Sequence, residues 1–286
     1  MPFLLTGNNL EQWEIACDLG VVARKLGVQL EVVPRKKLMG RYNGLTDAEH
    51  VKATALARQL ITEAQQGGRP RPNYAEIEEA ARFFLAMRAM IAECKACAAT
   101  IACRDFRTEK LLVPCVALTL LQEHGIPACC QVDIDAVLTM VLFKWAIGLV
   151  SFMGGAEAED DRLKVSHCVL SRKMNGSAAC QPYYLAGYHR NKSGPTIHTS
   201  LPAGQPVTVA RLTRNLERLL IAQGKVVECR DQPGRCRNML VIQVGNVQKL
   251  MTMVRGIQYH LVVACGHYLP RMRDLATKAG INVFVA

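Results

Sequence analysis

The sequence predicts an α/β region followed by a mixed α+β region. Three observations support this prediction: helical and strand-like segments alternate in the first half, the alternation weakens after Met153, and short valine-rich segments follow. Alternation of strands and helices is typical of a parallel sheet with helices on its faces. A chain of 286 residues that is 50% hydrophobic has room for two domains of ordinary size.

The first elements are a helix and a strand. Leu10 to Leu26 has apolar residues at helical spacing, and Gly27 stands where such a helix would end. Val28 to Val33 has the β-branched composition of a strand.

Two capping boxes then predict the starts of long helices. In Thr46-x-x-Glu49 and in Asn73-x-x-Glu76, each side chain can accept a hydrogen bond from the free backbone N–H of the other residue. Gly67 to Pro72 is rich in glycine and proline and predicts a break between the two helices.

A helix, a strand and a second helix are predicted around the middle of the chain. Leu111 to Glu123 predicts a helix closed by Gly125, and Ile126 to Val132 predicts a buried strand. The most apolar segment, Ala136 to Met153, contains Lys144 and is shorter than the about 20 mostly uncharged residues of a membrane span. We therefore expect a buried helix there and no membrane association.

The second half predicts short strands and a final strand–helix–strand unit. Val207 to Val209 and Val226 to Val227 suit strands of an antiparallel sheet or barrel. Near the end, Tyr259 to Cys265 predicts a strand, Arg271 to Ala279 a helix and Ile281 to Val285 a last strand.

The positive charge is scattered along the chain. The formal net charge is +11, but the basic clusters are short and have few aromatic residues among them. Proteins that bind nucleic acid usually concentrate such charge on one surface, often with aromatic side chains. We therefore expect a solvated surface and no dedicated nucleic-acid partner. The clusters are Arg35 to Lys37, Arg69 to Arg71 and Arg271 to Arg273.

Twelve cysteines are present in a chain whose first residues lack the features of a secretion signal. We therefore expect a cytoplasmic protein with reduced thiols. Cys94-x-x-Cys97 followed by Cys103 resembles a metal knuckle, although no second pair follows at zinc spacing. The alternative is that these are small buried side chains among alanines.

Three segments carry a resemblance to a known family. They are GIPACCQVDIDAVLTM (Gly125 to Met140), VSHCVL (Val165 to Leu170) and YHLVVACGHYLPRMRDLATKAGINVFVA (Tyr259 to Ala286). Weaker agreement comes from AGQPVTVARL (Ala203 to Leu212) and from Cys236. In this order the segments resemble the L-fucose/L-arabinose isomerase-type sugar isomerases, and the likeness spans most of residues 90–286.

The resemblance implies an architecture. Residues 1–128 would form a Rossmann-like α/β domain similar to the second domain of these isomerases. Residues 129–286 would form the C-terminal domain, which contains an antiparallel β-barrel. The family's N-terminal domain would be absent from this chain or separately encoded, and a homo-oligomer is the expectation for the family.

The resemblance also implies a metal-dependent reaction. An aldose becomes a ketose when a proton moves between C1 and C2 through an enediol, whose developing charge a divalent cation can stabilise while a carboxylate transfers the proton. Asp133 and His260 stand at the metal-ligand positions of the family, Asp133 also being a candidate catalytic carboxylate, and manganese suits such oxygen and nitrogen ligands. The alternatives are a helix N-cap for Asp133 and a core histidine for His260.

Five further residues complete the expected site. Glu109, the second candidate catalytic carboxylate, is the nearest substitute for the family's other metal carboxylate, the alternative being a surface residue that opens a helix. His267, His167 and His189 are candidates for contact with the sugar. Gln131 replaces a glutamate of the family pattern, and an amide cannot ionise or act as a base.

The leading hypothesis is therefore a sugar isomerase-like protein that acts on a small sugar, with reduced activity because of Gln131 and the missing domain. The alternative is a non-catalytic remnant, or a sugar- or metal-binding subunit of the same fold. A nucleic-acid-binding protein is a third class, which the scattered charge argues against.

Overall fold

The fold is described by a computed structural model over residues 2–7, 18–67, 71–103, 106, 113–189, 194–232, 235–255 and 260–286. It contains a small parallel sheet near the start of the chain and a closed antiparallel barrel nearer its end. The α/β character of the first half and the barrel of the second half are both present, as the sequence predicted.

The parallel sheet has four strands in the order β2-β1-β3-β4. Every neighbouring pair in it is parallel. The strands are β1 (Pro2–Gly7), β2 (Gln29–Pro34), β3 (Ala99–Ile101) and β4 (Ala128–Cys130). The predicted boundary between residues 128 and 129 falls inside β4, and the division into two domains stays a prediction.

Strand β4 is shorter than the sequence predicted because the chain turns directly after Cys130. Gln131 and Val132 have φ angles of 68° and 55°, in the left-handed region that residues other than glycine rarely adopt. A β-branched residue such as Val132 is strained there. This turn directs the chain from the sheet into the next helix.

Local signals fixed the starts of the long helices. Thr46 and Asn73 both form complete capping boxes with Glu49 and Glu76, as predicted. The helices of the first half are α1 (Leu19–Leu26), α2 (Arg35–Asn43), α3 (Asp47–Glu63), α4 (Tyr74–Glu93) and α5 (Cys115–Glu123). Helix α2 was not predicted, because its basic sequence has little apolar periodicity.

The remaining helices are associated with the barrel. They are α6 (Ile134–Ile147), α7 (Val247–Val254) and α8 (Leu269–Lys278). Helix α6 is buried along most of its length and packs against the outside of the barrel, so the expectation of a buried helix is confirmed. No helix in the described part of the chain has the length and hydropathy that a membrane crossing requires.

Six antiparallel strands form the barrel in the order β11-β6-β5-β12-β9-β10, and a β10–β11 pairing closes it. The last strand of the chain, β13 (Asn282–Val285), pairs in parallel with β10. Strands β7 (Tyr183–Gly187) and β8 (Pro195–Thr199) form a separate hairpin. The barrel strands are β5 (Phe152–Glu159), β6 (Arg162–His167), β9 (Pro206–Leu212), β10 (Arg218–Asp231), β11 (Asn238–Val244) and β12 (His260–Cys265).

Strand β12 shows how the core is divided. Leu261 and Val263 belong to a core that receives side chains from all six barrel strands, which is the barrel interior. Val262 and Ala264 belong to a second core, which also contains α6 and α8. Alternation of side chains along a strand therefore fills the barrel and anchors two helices to its outer face.

Candidate functional site

Asp133 lies between the turn after β4 and the first residue of α6. Its Oδ1 accepts a hydrogen bond from the backbone N–H of Ala136 at 3.0 Å, so it caps the helix. The structural role that the sequence left open for Asp133 is therefore present.

Asp133 and His260, 127 positions apart in the sequence, meet at one end of the barrel. His260 Nδ1 lies 2.8 Å from Asp133 Oδ2, and both residues are buried. Burial alone would raise the pKa of Asp133, but the hydrogen bond from His260 and the Arg211 guanidinium hold it well below its usual range. Because the carboxylate is ionised and can only accept, His260 Nδ1 is the donor.

Arg211 is the residue that the sequence did not lead us to expect. Its Nη1 donates to Asp133 Oδ2 at 2.8 Å and its Nη2 to Asp133 Oδ1 at 2.9 Å, so the pair is bidentate. Arg211 is fully buried near the end of β9, and Asp135 Oδ2 lies 3.7 Å from its Nη2. We call Asp133, Asp135, Arg211 and His260 the Asp133 cluster. The only available signal was an arginine at the end of the apolar AGQPVTVARL segment.

His167 connects the Asp133 cluster to a neighbouring pocket. Its ring packs edge-on against His260, with ring centroids 5.6 Å apart. Burial, followed by the proximity of His260 and His189, lowers the pKa of His167 to about 3, so the ring is neutral at pH 7. Cys130 Sγ lies 3.5 Å from His167 Nδ1.

Three of the four predicted sugar-contacting residues line one small pocket: Gln131, His167 and His189. His267 does not join them. It is exposed after the far end of β12, where its Nε2 lies 2.9 Å from the Gly224 carbonyl oxygen. At about 3.3 Å per residue, β12 separates it from the His260 end of the strand by more than about 15 Å. Glu109, the predicted second carboxylate, lies outside the described residues.

The same pocket is lined largely by sulfur. Five cysteines border it, beside Val113, Pro114, Tyr188 and the polar residues already described. No disulfide joins the cysteines of the described ranges. The five are Cys103, Cys115, Cys130, Cys168 and Cys236.

Three residues at this pocket form a group that can hold a metal ion: Cys168, His189 and Cys236. Their ligand atoms all lie within 4.8 Å of one another. We call them the thiol cluster. Cys94 and Cys97, whose spacing resembles a metal knuckle, form no such group within the described part of the chain.

The chain was compared with family models and with curated proteins. Neither a family model nor a curated protein matches it significantly.

Proposed function

We propose that the chain is an isomerase-like protein that has lost most or all aldose–ketose isomerase activity. The proposal rests on one observation: both carboxylate oxygens of Asp133 are bonded to Arg211. Activity of the kind that the resemblance implies would require this carboxylate to bind the metal. In this chain it serves instead as the partner of a buried guanidinium and as a helix cap.

Manganese does not fit the Asp133 cluster. A cation bound to Asp133 would lie roughly 4 Å from the guanidinium of Arg211, and a dication and a unit charge at that distance repel by about 8 kcal/mol at an effective dielectric constant of about 20. The second carboxylate, Asp135, is itself drawn to Arg211. Hard divalent cations need several oxygen ligands, which these residues do not leave open.

The pocket beside the cluster also argues against efficient turnover. Its small volume and sulfur-rich lining provide few of the hydroxyl-binding groups that orient a sugar. Gln131, where the family pattern has a glutamate, faces this pocket as a neutral amide.

Two features favour the isomerase-type ancestry over an unrelated fold. The Asp133–His260 contact joins two residues picked from separate segments by the resemblance alone. The sheet order β2-β1-β3-β4 is also compatible with part of a doubly wound sheet of the flavodoxin-like order, and this supports the proposal.

The second candidate function is an active manganese-dependent isomerase for a pentose or a 6-deoxyhexose. The 2.8 Å contact between Asp133 and His260 favours it, since two metal ligands must lie close together. It would require Arg211 to leave Asp133.

Titration with manganese and an activity assay separate the two candidates. We expect the purified chain to bind Mn²⁺ weakly by isothermal titration calorimetry, with equal affinity in wild type and in His260→Gln. His198→Gln is the matched control, since His198 is equally buried and bonds a backbone carbonyl elsewhere. L-fucose, L-arabinose and D-arabinose should show only background turnover. Turnover of roughly 1 to 10³ per second, with Mn²⁺ affinity lost in His260→Gln alone, would establish the active isomerase instead.

A further inference from the structure

The thiol cluster has the spacing of a tetrahedral metal site. His189 Nε2 lies 3.3 Å from Cys168 Sγ and 3.3 Å from Cys236 Sγ. In a tetrahedral zinc complex, metal–ligand bonds of about 2.3 Å to sulfur and about 2.0 Å to nitrogen place the two ligand atoms roughly 3.5 Å apart. The two distances from His189 to the cysteines therefore need to change by only a few tenths of an ångström to accept the ion.

Cys115 can supply a fourth ligand. Cys115 lies beside Cys168 at the same pocket, but its sulfur is not among the ligand atoms that lie within 4.8 Å of one another, so its side chain must move to reach the ion. Cys115 is the first residue of α5.

One backbone hydrogen bond opposes the effect of burial on the Cys168 thiol. The backbone N–H of Arg237 donates a hydrogen bond to its sulfur. Hydrogen bonds of this kind orient metal ligands and stabilise the charge that they carry.

We propose that Cys115, Cys168, His189 and Cys236 bind one zinc ion as a closed, four-coordinate site. Three thiolates and an imidazole are the ligands that zinc takes in structural sites, and soft sulfur ligands select against manganese. With all four positions taken by the protein, the ion has a structural role. This site does not depend on the isomerase-like assignment.

The position of the four ligands shows what the ion would connect. Cys115 begins α5, Cys168 follows β6, His189 follows the β7 strand of the hairpin, and Cys236 precedes β11. Zinc would therefore link the α/β region, the hairpin and two neighbouring barrel strands at one point.

Metal uptake requires the thiols to lose their protons. Burial raises the pKa of Cys168, and the hydrogen bond with Cys168, together with burial, raises the pKa of Cys236. Zinc therefore displaces protons as it binds, and its affinity falls as the pH is lowered.

The test uses the full chain, reduced and freed of metal with a chelator. We expect one equivalent of Co²⁺ to give the strong visible absorption and the sulfur-to-cobalt charge-transfer band of a tetrahedral thiolate complex, and Zn²⁺ to displace it. Cys236→Ser should weaken zinc binding about a hundredfold or more. Cys229→Ser is the matched control, since Cys229 is also half-buried and its Sγ donates to the Thr199 carbonyl oxygen outside the cluster.

Cys115→Ser tests the fourth ligand. It also provides a second test of the site in case Cys236→Ser does not fold. It should reduce the charge-transfer intensity by about one third, from three thiolates to two. An unchanged intensity would remove Cys115 from the site. Reduced protein that takes up neither Co²⁺ nor Zn²⁺, or a Cys168–Cys236 disulfide in protein purified with zinc and without chelator, would overturn the proposal.

Discussion

The Asp133 cluster and the thiol cluster lie on either side of His167 and compensate their charges in opposite ways. In the first, a buried guanidinium already neutralises a carboxylate. In the second, the ligands are thiols that remain neutral until a cation replaces their protons. Side chains that can bind a metal can therefore lie together without forming a metal site. In the Asp133 cluster, the guanidinium of Arg211 already occupies the place that a metal ion would take.

Removing Arg211 should have the largest effect. Arg211→Met leaves Asp133 buried without its guanidinium partner, and we expect the free energy of unfolding to fall by about 3–5 kcal/mol in urea at pH 7. Arg230→Met is the surface control, because Arg230 pairs with Glu228 in solvent and its loss should cost under about 1 kcal/mol. Equal losses in the two variants would show that the Asp133 cluster is not the stabilising centre that its geometry indicates.

The pH dependence of stability should show an effect of intermediate size at His167. Because its folded pKa is about 3 and the unfolded value is near 6.5, the unfolded chain takes up a proton between those values while the folded chain does not. Stability is therefore fully present above about pH 6.5 and falls as the pH decreases, by roughly 1.4 kcal/mol per pH unit.

This prediction is checked by urea unfolding at pH 7 and at pH 5. The wild type should lose about 2 kcal/mol more than His167→Gln over this range. His267→Gln removes an exposed imidazole and serves as the control. Identical pH profiles for wild type and His167→Gln would mean that this ring accepts its proton in the folded state as readily as in the unfolded state.

Adding a hard ligand to the pocket should have the smallest effect. Gln131→Glu should tighten Mn²⁺ binding by roughly tenfold in a calorimetric titration, since one added charge near the ion is worth on the order of 1 kcal/mol when it is partly screened. Gln205→Glu, on a barrel loop that does not line the pocket, controls for added charge. Turnover of pentoses should stay at background while Asp133 remains bonded to Arg211, and its appearance would favour the active isomerase.

The parts of the fold that the sequence predicted are those fixed by neighbouring residues. The capping boxes of α3 and α4 need residues only three positions apart. Gly27 ends α1 with a φ of 64°, which its lack of a side chain allows.

Closure of the barrel depends on pairings that local patterns do not encode. Val226 and Val227 predicted a strand, yet the sequence does not show that β10 extends over 14 residues and pairs with both β9 and β11. Its register shifts between Val226 and Glu228 and changes which residues face the interior.

The candidate site also contains residues that the sequence predicted and residues that it did not. Family-like segments led to Asp133 and His260, but Arg211 is 78 positions from Asp133 and carries no motif of its own. Metal-site reasoning from the sequence favours closely spaced pairs such as Cys94 and Cys97. The thiol cluster is assembled instead from single residues that only the fold brings together.

The pairing of β5 with β12 has a consequence for how the chain folds. Phe152 to Gly155 and His260 to Val263 form one antiparallel ladder across roughly 100 intervening residues. Contacts of such long range cost loop-closure entropy before they stabilise the chain, and they therefore slow folding. During synthesis, the edge of β5 therefore stays unpaired until β12 has left the ribosome, and that interval is when the nascent chain is most exposed to aggregation.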